Sequence, residues 1–122
     1  MKVGLQGDAN RAVINQLGYH ALLEKGVPHC KLAVVQELVR RGRVRATASA
    51  FAGARELGVN DLSGMCKVVM SLSAANFHKS MTTHADHRIW QDVYRVRTDG
   101  GIEIYLKLTV IEDVLIVSFK EL

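Results

Sequence analysis

The chain has little of what marks several protein classes. Only two of its 122 residues are cysteines, Cys30 and Cys66, and they form no CxxC pair. A disulfide-stapled scaffold or a zinc ribbon needs more thiols at closer spacing, so two thiols in a reducing compartment fit better. No apolar run approaches the ~18–20 residues of a membrane span. The stretch from Met1 to Gly7 lacks the basic-then-apolar order of a secretory signal, and the chain reads as cytoplasmic. GxSxG, GxxxxGKS/T and HExxH are all missing, which removes the signatures of the nucleophile elbow, the P-loop and the zincins. There is no internal repeat and no low-complexity segment.

What is present is ordinary globular composition, 48% hydrophobic and 23% charged. That amount of apolar side chain builds one small core, without room for a second domain and a large cofactor cleft. The net charge of +4 and pI near 9.3 point weakly to a polyanionic partner. The distribution says more. Residues 31–60 hold six bases against two acids, whereas 91–122 hold four against six. Arg40, Arg41, Arg43 and Arg45 supply most of the excess. They read either as a phosphate-binding stripe or as the solvated end of a helix, where cations are favoured.

Residues 1–23 are interrupted by Gly4, Gly7 and Gly18. A short helix over Asp8–Leu17 is expected there, with Asp8 as N-cap and Ala12, Val13 and Leu17 on one side. Pro28 marks a boundary. A helix over Pro28–Arg41 buries Leu32, Val35, Leu38 and Val39 and stops at Gly42. A second covers Thr47–Leu57, capped by Thr47 or Ser49, with Ala48, Phe51, Ala52 and Ala54 inward. A third covers Leu62–Leu72 behind the N-cap Asp61, with Met65, Val68, Val69 and Leu72 inward. After Ser73 the period changes to that of strands, over Phe77–Thr82, Ile89–Arg97, Ile102–Ile111 and Val114–Phe119. Asp99-Gly100-Gly101 is a hairpin signal and Glu112-Asp113 a weaker two-residue turn. The fold class is therefore α+β, with N-terminal helices packed on a C-terminal antiparallel sheet.

The strand after the glycine turn alternates most clearly. Ile102, Ile104, Leu106, Leu108 and Val110 point to the helices, and Glu103, Tyr105, Lys107 and Thr109 point away. A two-residue turn at Glu112-Asp113 would put Tyr105 opposite Lys120 and Lys107 opposite Ser118. The pairing reads either as an exposed cross-strand contact or as part of a site. The strands together carry Lys79, Gln91, Arg95, Tyr105, Lys107 and Lys120. Such a face could neutralise phosphates through Arg95 and Lys107 and read or stack bases, which suits RNA. His84, Asp86 and His87 resemble metal ligands, but no further ligands complete a four-coordinate site, and they read as a polar loop with Asp86 turning the backbone. Cys66 lies mid-helix and reads as structural. Trp90 reads as core or cleft wall.

Several stretches together form a specific pattern: KSMTT at 79–83, Asp86-His87, IWQDVYR at 89–95, YLKLTVI at 105–111 and DVLIVSFKE at 113–121. With Gly64-Met65-Cys66 and the first helix, they resemble the MqsR family of toxins, the mRNA interferases of bacterial type II toxin–antitoxin pairs. The resemblance runs from about Glu24 to the C-terminus. It divides the chain into an N-terminal extension, 1–23, helical or partly disordered, and a toxin domain, 24–122. It implies a RelE-like fold and an endoribonuclease that cuts single-stranded mRNA at short GC-containing sites, typically GCU. The implied catalytic set is Lys79, Gln91, Tyr105 and Lys120, with no metal or other cofactor. The implied partner is a zinc-containing, DNA-binding antitoxin, for which Arg40–Arg45 offer a basic surface. In the expected chemistry Lys79 or Tyr105 acts on the 2′-hydroxyl, Lys120 stabilises the phosphate and Gln91 orients the substrate. A shared role for Gln91 and Tyr105 also predicts a three-residue loop, Asp99–Gly101, because a two- or four-residue turn would put them on opposite faces. The alternatives are a noncatalytic RNA-binding domain and a metal hydrolase built on His84, Asp86 and His87.

Overall fold

The computed structural model describes residues 11–14 and 21–122. A strand pair, β1 (Arg11–Ile14) and β2 (Ala21–Lys25), precedes α1 (Leu32–Arg40), β3 (Val44–Ala46), α2 (Ala48–Glu56) and α3 (Leu62–Ser71). A single 3₁₀ turn, Ala74–Asn76, leads into β4 (Phe77–Thr82), β5 (Trp90–Arg97), β6 (Glu103–Ile111) and β7 (Asp113–Glu121). All seven strands form one sheet in the order β1-β2-β4-β5-β6-β7-β3. The α+β expectation holds, with helices ahead of the long strands. Among the described residues no helix is long and apolar enough to cross a membrane.

Three expectations are corrected. First, Arg11–Ile14, inside the stretch expected to be the helix Asp8–Leu17, is a strand paired antiparallel with β2; the rest of that stretch, Asp8 included, lies outside the described residues. Second, the sheet is mixed, because β3 joins β7 in parallel. Three residues are too few to show a period, and this strand forms because the edge of β7 offers unpaired backbone groups. Val114 N–H donates to Arg43 and Thr47 N–H to Ile116, extending the pairing at both ends. Third, the inward face of α2 is Ala50 and Ala54, while Ala48 and Ala52 are exposed. The helix turns its glycine to the sheet. A Cβ built on Gly53 would lie 2.1 Å from the Phe119 carbonyl oxygen, so only glycine permits this approach.

The remaining signals act as read. Gly42 and Gly58 take positive φ, 77° and 81°, just past α1 and α2. Thr47 Oγ1 accepts from Ala50 N–H, and Asp61 Oδ1 from Gly64 N–H, capping α2 and α3. The first helix starts at Leu32, later than expected. The buried Asp92 carboxylate accepts the His29 and Cys30 amides at 2.9 and 3.0 Å and holds that segment against β5. Gln36 Nε2 donates to the Val69, Met70 and Leu72 carbonyls, satisfying the end of α3. The helices and one sheet face enclose Val35, Ala50, Met65, Val69, Tyr94, Leu106, Leu108, Ile116 and Phe119. That leaves the other face of the long strands uncovered by helices.

Candidate active site

Three departures from regular pairing set what the uncovered face displays. The Asp99–Gly101 loop has three residues, with Thr98 N–H and the Ile102 carbonyl bonded across it and Gly101 at φ 84°. It pairs Arg95 with Tyr105, as the shared role of Gln91 and Tyr105 required. Arg95, Val93 and Gln91 therefore lie on Tyr105's side of the sheet. In β4 the register shifts between Phe77 and Lys79, so His78 has no cross-strand partner. Phe77 packs edge-on against buried Tyr94, and Ser80 is buried three residues later. Unbroken alternation would send Lys79 to the core with Phe77, and the bulge at His78 returns it to the open face.

The third departure is in β7. The turn to β7 is tighter than the two residues expected: Ile111 pairs with Asp113, and Glu112 sits at the tip with φ 65°. Carried along the strand, that register would put Phe119 opposite Tyr105. A bulge at Val117 adds a residue, so Ile116 pairs with Leu108 but Ser118 with Lys107 and Lys120 with Tyr105. The expected pairs are both present, for a different reason.

The face now has a definite layout. Lys79, Val93, Lys107 and Ser118 form one cross-strand row, and Arg95, Tyr105 and Lys120 form the next. Val93 is fully buried between its two lysines. Lys120 Nζ lies 5.2 Å and Lys107 Nζ 6.0 Å from the centre of the Tyr105 ring, a cation–π geometry. Gln91 pairs with Met81 and stands four residues from Arg95, ~13 Å along the strand. Lys79 Nζ is bound at 2.7 Å by Glu24 of β2. Arg95 donates to His78 Nε2 at 3.2 Å. All six expected residues thus share one face, but as a stripe with Gln91 at one end.

Burial raises the Tyr105 pKa above its ordinary value, although Arg95 opposes the shift. Burial, then the ammonium groups of Lys120 and Lys79, lower that of Lys107. The His78 pKa is lowered by burial, then by Arg95 and Lys79, with Glu24 opposing. His78 and Glu24 are the residues that sequence reasoning missed: His78 meets Arg95, and Glu24 meets Lys79. His78 had a signal: three polar residues in succession after Phe77 break the period of two. Glu24 had none, because its approach depends on how β2 meets β4.

The other candidates resolve more plainly. Asp86 turns its loop, accepting from Arg88 N–H and the Arg88 guanidinium, while Thr83 Oγ1 closes the turn. Among the described residues no group of three His, Cys, Asp or Glu could hold a metal ion. Arg40 and Arg41 pair with Glu37, and Arg43 with Asp113, so the basic run is largely tied to its own neighbours. Trp90 stacks with His29 and lies 4.3 Å beneath the Lys25 ammonium; it is a wall for the segment pinned by Asp92. Cys66 is half-buried against the core and its pKa is raised by burial.

An α+β protein that covers one sheet face with helices and arrays lysines, an arginine, a tyrosine and a glutamine on the other has a surface matched to a phosphodiester chain. The family described as "Motility quorum-sensing regulator, toxin of MqsA" matches residues 27–121. The "mRNA interferase toxin MqsR" of Escherichia coli (strain K12) is 58% identical over 99 residues, spanning 81% of this chain and 99% of that protein. The chain belongs to the MqsR toxin family.

Proposed function

We propose that this chain is the toxin of a type II toxin–antitoxin pair and an endoribonuclease that cuts single-stranded mRNA at short GC-containing, GCU-like sites. The observation that carries the reading is the convergence of Lys79, Gln91, Tyr105 and Lys120, from four different strands, on one open face. The family resemblance supports the site preference and the partner, a zinc-containing, DNA-binding antitoxin of the MqsA type. RNA carries its own nucleophile, the 2′-hydroxyl. Its attack on phosphorus needs a proton acceptor, charge stabilisation at the phosphorane and a proton donor to the leaving 5′-oxygen. Lys120 and Lys107, beside the Tyr105 ring, suit the phosphorane, with Arg95 alongside. The raised Tyr105 pKa keeps the phenol protonated, as a donor must be. Lys79, an ammonium in an ion pair with Glu24, has no lone pair to accept a proton and also fits a phosphate contact. Gln91, further along the stripe, is placed to bond a neighbouring base.

The test is a labelled, structure-free transcript with GCU sites, incubated with the full chain with and without EDTA. Cleavage that survives EDTA and leaves a 2′,3′-cyclic phosphate and a 5′-hydroxyl is expected. No cleavage by folded protein would favour a noncatalytic RNA-binding domain. Cleavage lost with EDTA, or a 5′-phosphate product, would favour a metal hydrolase.

A further inference from the structure

The bulge in β4 places on the open face a histidine for which the expected catalytic set has no role. His78 is unpaired in the sheet, exposed, adjacent in sequence to Lys79, and in contact with Arg95, the cross-strand neighbour of Tyr105. Arg95 can only donate, so His78 Nε2 is an acceptor and the proton of the neutral ring is on Nδ1. We propose that His78 is the general base of the cleavage reaction, taking the proton of the substrate 2′-hydroxyl through Nε2. The proposal rests on the ribonuclease reading above.

The step balances without any co-reactant. As O2′ bonds to phosphorus, its proton passes to Nε2 and makes the imidazolium. The P–O5′ bond breaks, and O5′ takes a proton from a donor on the same face, the Tyr105 phenol or the Lys120 ammonium. Arg95 must leave Nε2 for this to occur. An incoming phosphate gives the guanidinium a stronger, charged partner than a neutral ring nitrogen, so substrate binding itself uncovers the base. The groups around His78 are Arg95, Lys79 and, beyond the Lys79 ion pair, Glu24. Burial, then the two cations, favour the neutral ring, against the pull of Glu24. Lys107 is a second basic group on this face whose neutral form is favoured, but it starts from ~10.4 where histidine starts from ~6.5.

The experiment compares wild type with His78→Phe, which keeps a flat ring, and His78→Gln, which keeps a hydrogen-bonding side chain. Single-turnover cleavage is followed from pH 5 to 9. His87→Asn, in the exposed loop after β4, is the control. Both His78 variants should fall ~10²–10⁴-fold and lose the acidic limb of the wild-type profile. Imidazole added to His78→Ala should restore part of the rate. Binding of an RNA with a 2′-deoxy residue at the cut site should stay within about twofold. Wild-type rates in His78→Phe, or a full loss explained by weaker binding of the 2′-deoxy RNA, would overturn the assignment and make His78 a stacking or binding residue. Failure of wild type itself to cut RNA would instead overturn the ribonuclease reading.

Discussion

The two faces of β6 are built from alternate residues of one nine-residue strand and have opposite tasks. Ile104, Leu106 and Leu108 are buried beneath the helices, while Tyr105 and Lys107 sit half-exposed with charges around them. The first set gains by losing water, at ~1.5–3 kcal/mol per large side chain. The second pays for partial burial of polar groups, visible in the raised Tyr105 and lowered Lys107 pKa values. In the proposed site, stability and chemistry are thus assigned to neighbouring positions and should separate under mutation.

The sharpest break is between positions 106 and 105. Leu106→Ala should lose ~2–5 kcal/mol of stability in urea unfolding, yet keep most of its cleavage rate where it remains folded. Tyr105→Phe should leave stability within ~0.5 kcal/mol and lose ~10²–10³ in cleavage rate if the phenol donates to the phosphate in the transition state. Equal effects of the two on both measurements would refute the division of labour.

Gly53→Ala tests where the faces are coupled. Its Cβ would collide with the Phe119 carbonyl oxygen and lie 3.5 Å from Lys120 Cβ, so α2 or β7 must shift. A loss of ~1–3 kcal/mol is expected. Because Lys120 moves with β7, cleavage should fall by up to ~10². A destabilised variant with wild-type turnover would show that the end of β7 tolerates displacement.

The smallest effect belongs to Lys107. Its lowered pKa means that the folded state disfavours its charged form, so between that value and ~10.4 the unfolded chain holds more protons and stability rises with pH. Lys107→Gln should flatten that rise, and at pH 7 should not lower the melting temperature. If Lys107 meets an RNA phosphate, the slope of log affinity against log salt should shrink by ~0.7. A lower melting temperature would mean that its aliphatic stem matters more than its charge.

Much of this architecture was legible. The α1 face, the Thr47 and Asp61 caps, the glycine stops and the four long strands follow from local period and local hydrogen bonding. The inward set of β6 follows from strict alternation. Alternation fails as a guide where strands are irregular. The β4 bulge left a signal in the FHKS run that the expectation of a regular strand passed over, whereas the β7 bulge was masked because the shorter turn and the extra residue compensate for one another, leaving Tyr105 opposite Lys120. Ala48 and Ala52 were misplaced because small residues carry almost no facing signal, and a glycine on the packing side carries less.

By itself the sequence determined the helices and the four long strands, and that polar side chains capable of handling RNA lay on those strands, because these properties depend on neighbours within a few positions; it did not determine the strands Arg11–Ile14 and Val44–Ala46. Only the tertiary structure decided that β3 runs parallel along β7, that Glu24 reaches Lys79, and that His78 emerges beside Arg95. Each depends on two segments far apart in the chain meeting at a particular register, and register is set by packing and backbone pairing across the whole sheet.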